Sequence, residues 1–262
     1  MAILSNLMYE ENISSSVRAE AAMGLGKIKD PYAYQLLIDI YNDAETAENT
    51  DLQIDIITAL GQRDLSEISS FFQQVLDDSS TDPSLRVAAI EALEDTQGYT
   101  IPLLLKYLND SDSEVRAAAA WALAIADEPG NLFAELKAQL ATELDPEVRK
   151  RLYQALGNQE NFDISNIDIP TILKETNIET RLAGYDLLAR NIAATENETI
   201  QENFNQIVIP NLKQIALTAD RISTKLSAVI TLKRANTPES LLALQEIAAQ
   251  SLDKQVIEAI CF

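Results

Sequence analysis

One pattern of apolar and polar positions recurs along the chain. It is nine residues long: an aliphatic residue, usually a basic one, then small residues, then Ala-Leu at the seventh and eighth positions after the start. The clearest copies are Leu85–Leu93 (LRVAAIEAL) and Val115–Leu123 (VRAAAAWAL). Val17–Leu25, Leu52–Leu60 and Val148–Leu156 keep the frame, and Thr180–Leu188, Thr224–Leu232 and Leu252–Ile260 keep it more loosely. The second positions are Arg18, Gln53, Arg86, Arg116, Arg149, Arg181, Lys225 and Asp253, at spacings of 35, 33, 30, 33, 32, 44 and 28 residues. At about 100° per residue, positions 0, 4, 7 and 8 fall on one helix face. Aliphatics at 0 and 8 make that face a core face, and small residues at 4 and 7 let neighbouring helices approach.

Acidic and small polar residues precede the best copies, as in Asp82-Pro83-Ser84, Asp112-Ser113-Glu114 and Asp145-Pro146-Glu147. These are helix N-cap and first-turn signals, with proline where its missing N–H does no harm. A second helical stretch precedes each copy, for example Tyr32–Tyr41, Leu65–Leu76, Ile101–Leu108, Leu132–Thr142 and Ile207–Leu217, with Pro31, Pro102, Pro170, Pro210 and Pro238 at or near the starts of such stretches. The unit is therefore an outer helix, a polar turn and an inner helix. No strand alternation and no glycine-rich loop is seen. The pattern predicts an all-α fold, a single solenoid over residues 1–262 built from about eight helix pairs.

The runs of the form D-x-x-[VL]-R-x-x-A-x-x-A-L, such as Asp82–Leu93 and Asp112–Leu123, resemble the HEAT-repeat family, and within it the bacterial repeats named after phycobilisome lyase subunits. The resemblance covers nearly the whole chain. It implies a right-handed α-α superhelix with a ladder between adjacent repeats, in which Asp82, Asp112 and Asp145 pair with Arg86, Arg116 and Arg149 or with their neighbours. Gln53 and Asp253 interrupt that ladder. Two functions follow from it: a scaffold, or a subunit of a phycobilin lyase or other phycobilisome-handling protein. It identifies no bilin site and no catalytic residue.

The 44-residue interval carries a polar insertion, residues 191–206, expected as a surface loop or short extra helix between repeats. Neither end of the chain has the polar capping repeat that solenoids need, so contacts or further repeats are expected there.

Composition narrows the function. The formal net charge is −21, which disfavours phosphate backbones and anionic lipid. Residues 1–100 carry 5 Lys/Arg against 18 Asp/Glu, residues 101–199 carry 9 against 17, and residues 200–262 carry 6 against 6. That polarity either orients a partner or serves solubility. The first residues have no basic region or long apolar run of a signal peptide, and no stretch is apolar enough to span a membrane, so a cytoplasmic protein without membrane insertion is expected.

Catalytic chemistry is poorly provided. With no histidine and one cysteine, Ser-His-Asp and Cys-His catalysis and the usual zinc ligand sets are excluded. No phosphate-binding glycine motif occurs, and Cys261 reads as an inert thiol. The acidic runs at residues 77–82 and 109–114 look like calcium loops but lack the glycine and the terminal glutamate of that template. They fall where each repeat needs a turn and an N-cap. No cofactor is expected, and no enzyme activity other than that of a lyase subunit, which the resemblance implies.

The remaining inner-helix positions, 2, 5 and 6, point away from the face defined by 0, 4, 7 and 8. They hold Met23, Ile54, Ile57, Val87, Ile90, Trp121, Tyr153, Leu182, Tyr185, Leu226, Val229, Ile230 and Ile257, with Glu91, Lys150, Gln154, Asp186, Lys254 and Glu258 between them. Two readings stand. These residues line a concave groove that binds a protein partner, centred on Trp121 and Tyr153, or curvature buries them against one another.

Overall fold

The structure, a computed structural model, describes residues 1–10, 12–46, 48–93, 101–126, 131–159, 164, 167 and 169–261. Among them there is no strand. The chain forms two compact units, Met1–Pro129 and Gly130–Phe262.

In the first unit, α1 (Ala2–Tyr9) pairs with α2 (Ser15–Gly26), α3 (Pro31–Thr46) with α4 (Thr50–Leu60), α5 (Leu65–Asp77) with α6 (Pro83–Ala92), and α7 (Ile101–Tyr107) with α8 (Ser113–Ile125). The second helices of the pairs stack directly on one another, α2 on α4, α4 on α6 and α6 on α8. They are the nine-residue runs.

The second unit repeats the plan. There α9 (Phe133–Thr142) pairs with α10 (Pro146–Gly157), and α11 (Ile169–Leu173) with α12 (Ile178–Ala189). After α12 come a 3₁₀ turn at Ile192–Ala194, α13 (Glu198–Asn203) and a π-helical segment at Phe204–Val208 that runs straight into α14 (Ile209–Thr218). Then α14 pairs with α15 (Ile222–Ala235), and α16 (Pro238–Gln250) with α17 (Lys254–Cys261); the inner stack is α10, α12, α15 and α17. This is the α-α solenoid class.

The caps form as the composition dictates. Asp112 accepts from the N–H groups of Glu114 and Val115, Asp145 from those of Glu147 and Val148, and Asn177 from those of Glu179 and Thr180. Each supplies acceptors for donors that a helix start leaves unpaired. The eighth-position leucines Leu25, Leu60, Leu93, Leu123, Leu156, Leu188 and Leu232 are all buried, each contributing about 1.5–3 kcal/mol of transfer free energy. Where the inner helices end, small residues are required by contact: a Cβ at Gly26 would lie 2.2 Å from the Ala59 carbonyl oxygen of the next inner helix.

The stretch 191–206 is more ordered than a polar surface loop. It holds the 3₁₀ turn and α13, and Ile192, Ile200 and Phe204 are buried. Three apolar side chains at helical spacing outweigh the polar majority around them. Asn197 serves as the N-cap of α13, its side chain accepting from the Ile200 N–H.

Candidate binding faces and the rungs that hold them

An inner helix touches its own outer partner and an inner helix on one or both sides, so its buried arc is wide. Positions 0, 1, 4, 5, 7 and 8 together span roughly 160° at about 100° per residue. In the inner helices between the first and the last, only positions 2, 3 and 6 are left as an open stripe; in the first and last runs Val17 and Leu252, at position 0, are exposed as well.

This geometry corrects part of the sequence reading. Position 5 lies only about 40° beyond position 1, on the side of a neighbouring inner helix. Ile57, Ile90, Tyr153, Tyr185 and Val229, all at position 5, are therefore core residues with exposures of 0–1%. Leu182, at position 2, is largely buried too, but it lines the cleft of the second unit. The position-5 residues line no open groove. Met23, Ile54, Val87, Trp121, Leu226 and Ile257 are partly exposed, and Ile230 is 49% exposed.

The two units present different open stripes. In the first, each inner helix has one large apolar side chain partly exposed at position 2 or 6, Met23 from α2, Ile54 from α4, Val87 from α6 and Trp121 from α8. A shallow depression beside Ile54 is also lined by Asp51 and Asp55. Burial, and then the neighbouring Asp51 charge, push the Asp55 carboxyl above the usual carboxylate range.

In the second unit the stripe across α10, α12 and α15 is a cleft of about 460 Å³. Charged groups dominate it. Lys150 lies 2.6 Å from Glu147 and 3.6 Å from Glu179, Arg151 lies 3.0 Å from Glu147, and Arg190 lies 3.1 Å from Asp186. Arg234 also pairs with Asp186. Sequence reasoning had Lys150, Gln154 and Asp186 only as punctuation. It missed Arg190 and Arg234, which sit two residues past the end of the nine-residue frame. Their signal is the four-residue spacing from Asp186 and Ile230.

Two of the arginines at position 1, Arg86 and Arg149, join successive helix pairs, through acids that neighbour the caps rather than through the capping residues themselves. Asp82, Asp112 and Asp145 spend their carboxylates on capping. The acid that receives the arginine lies two residues before the next cap: Asp110, ahead of Asp112, takes Arg86, and Glu175, ahead of Asn177, takes Arg149. The same two residues use their carbonyls as well. Arg116 donates to the Asp110 carbonyl at 2.9 Å, and Arg181 to the Glu175 carbonyl at 2.9 Å. Tyr153, buried at position 5, donates its hydroxyl to Glu175 at 2.8 Å. Burial, reinforced by that bond, raises the Tyr153 hydroxyl well above the usual phenol range.

The acidic turns that look like calcium loops are consumed in this work. Asp110 and Asp112 serve as above, Asp78 accepts from Ser80, and Asp77 receives Lys106 and Tyr107 from α7. Among the described residues no three His, Cys, Asp or Glu side chains are placed to share a metal ion. No described helix is long and apolar enough to cross a membrane.

Stacked helix pairs of this kind define a helical-repeat scaffold. Comparison with known proteins gives the family. The HEAT repeats profile matches residues 43–124 and 72–157, and the PBS lyase HEAT-like repeat profile matches residues 17–43. Together they span residues 17–157, more than half of the chain, which belongs to the HEAT-repeat family. A solved structure of human deoxyhypusine hydroxylase in complex with glycerol is similar over 99% of this chain and 92% of its own, with 18% sequence identity and a TM-score of 0.39. No curated protein sequence matches.

Proposed function

We propose that the chain is a non-catalytic scaffold or adaptor, requiring no cofactor, that binds a protein partner on the open stripes of its inner helices. The observation that carries this is the row Met23, Ile54, Val87 and Trp121. It places one partly exposed apolar side chain on each of four stacked helices. A surface that met only water would be polar at these positions, and aligned apolar groups with an aromatic among them are the usual content of a protein-binding face. The net charge of −21 supports a protein rather than a nucleic acid as partner. The test is affinity capture from the native cell with wild-type chain and with Val87→Glu and Trp121→Ala. A partner retained by wild type and lost by both variants, at unchanged melting temperature, is the expected result. Equal capture by all three would remove the first unit's stripe from the reading.

The match of residues 17–43 to the PBS lyase HEAT-like repeat favours one second reading, a subunit of a phycobilin lyase or related phycobilisome-handling protein. It is tested by mixing the pure chain with free bilin and with apo-phycobiliprotein. A shifted visible absorbance band on addition of the chain would support it, and an unchanged spectrum in both mixtures would dismiss it.

A further inference from the structure

The cleft across α10, α12 and α15 stands apart from the rest of this acidic chain because its cations outnumber its carboxylates. Three carboxylates are each shared between two cations. Glu147 serves Lys150 and Arg151, Glu179 serves Lys150 and Arg221, and Asp186 serves Arg190 and Arg234. Of these, Lys150, Arg151, Arg190 and Arg234 line the cleft against Glu179 and Asp186, and four cations against two carboxylates leave a local charge of +2 within a chain whose total is −21. The guanidinium of Arg234 makes a single bond, to Asp186, among the described residues, while a guanidinium has five N–H donors to place. Arg234 is itself 38% exposed, so those donors are open to a ligand.

The cleft is not uniformly polar. Ile230, one turn before Arg234 on α15, is 49% exposed at its wall. A ligand that matches both features carries carboxylates and at least one apolar group. The apolar wall at Ile230 favours a polypeptide, whose side chains supply both carboxylates and apolar groups, over a phosphate backbone. Three neighbouring inner helices at about 8–10 Å between axes give a span of roughly 20 Å, which an extended peptide of about six residues covers.

We infer that this cleft binds an acidic segment of a polypeptide partner, its carboxylates on Arg234, Arg190 and Lys150 and an apolar side chain against Ile230. The inference rests on the protein-binding reading above and adds to it the chemistry of the partner and a site in the second unit.

The test is fluorescence anisotropy of the full-length chain with labelled peptides of about six residues, the length set by the span. One peptide is rich in Glu with Leu between, its control has Gln for every Glu, and a short oligothymidylate forms the third arm. The expected result is salt-sensitive binding of the Glu peptide, weakened at least about tenfold by Arg234→Glu and, less, by Arg234→Gln and Ile230→Ser. Lys137→Glu, on the outer helix α9, should leave it unchanged. Melting curves establish that each variant is folded, and the Gln variant serves if the Glu variant is not. Equal binding of the Gln peptide, an unchanged affinity in both Arg234 variants, or stronger binding of the oligonucleotide would each overturn the inference. So would concentration-dependent self-association in sedimentation that Arg234→Gln abolishes, since the occupant would then be a second copy. If the Glu peptide fails to bind while affinity capture still depends on Val87 and Trp121, the acidic-segment inference falls and the scaffold reading stands.

Discussion

Arg149 and Glu175 join two successive helix pairs through a bond that both sides support. The Arg149 Nε lies 2.9 Å from Glu175 Oε1, while its Nη1 donates at 2.8 Å to the Leu140 and Glu143 carbonyls behind it. Both side chains are nearly buried, at 14% and 11% exposure. Removing one partner strands the other charge. Arg149→Met or Glu175→Leu alone should cost roughly 3–5 kcal/mol, and the double variant less than the sum of the two. Urea denaturation of the four proteins measures this. Strictly additive losses would mean that the pair has no coupling.

The rung is missing three repeats earlier in the chain. Gln53 occupies the arginine position, is buried, and leaves its Nε2 without a partner. The residue two before the next cap, where Asp110 and Glu175 stand elsewhere, is Ser80. Arginine and acid are absent together. Gln53→Arg should therefore destabilise by about 3 kcal/mol, as an unpaired buried charge does, and Ser80→Asp added to it should recover most of the loss. Thermal melts decide. A double variant no more stable than Gln53→Arg would show that the register of this junction differs from the others.

Two glycines of α2 should answer an added methyl in opposite ways. At Gly26 the new Cβ meets backbone, the Ala59 carbonyl oxygen at 2.2 Å. Gly26→Ala should cost about 1–3 kcal/mol, more than the ~1 kcal/mol that alanine gains in helix propensity. At Gly24 the new Cβ meets only the end of the Leu4 side chain, at 3.3 Å, so Gly24→Ala should be neutral or stabilising. A melting temperature lowered equally by both substitutions would refute the close approach of α2 and α4.

Stability should also fall in alkali. Tyr9 is pushed up to about 12 by burial and then by the Asp43 carboxylate that accepts its hydroxyl. Tyr107 is raised by burial and then by Asp77, Tyr153 by burial and then by Glu175, and Tyr185 by burial. A hydroxyl whose folded value exceeds its unfolded value contributes stability that is whole below the unfolded value, 10.0 here, and is lost as pH rises towards the folded one. Denaturation midpoints should thus decline above about pH 10, and Tyr153→Phe should flatten that decline. Absorbance titration of the eight tyrosines checks the same point. A single step at the ordinary phenol value would contradict it.

The helix pairs were legible because caps and core positions obey local rules. Asp112 before Val115, and Leu123 eight residues on, announce a helix start and its buried face within a dozen residues. Position 5 was misjudged because its burial depends on a neighbour about thirty residues away, which no helical wheel contains. Nothing local to Ile90 or Tyr185 says that a second inner helix lies against that side. The rung acids failed for a related reason. Asp110 and Asp112 are both acidic and adjacent to the turn, and only the three-dimensional path shows which of them caps and which receives Arg86. The charged cleft lay partly outside the repeat frame, at Arg190 and Arg234, so a search confined to the frame passed over its principal cations.

Asp110 and Glu175 each reach back to the preceding pair's arginine with a carboxylate and hold their own pair's arginine with a carbonyl, so a junction built this way has two connectors, an arginine and an acid. Helix pairs so joined are interchangeable parts: excising one brings the connectors of its neighbours face to face, and duplicating one creates a junction that is already satisfied. A gene encoding such a chain can change length by unequal recombination without inventing a new interface. The junction that lacks both connectors, at Gln53 and Ser80, cannot be exchanged with the others and marks where the order of the pairs is held in place.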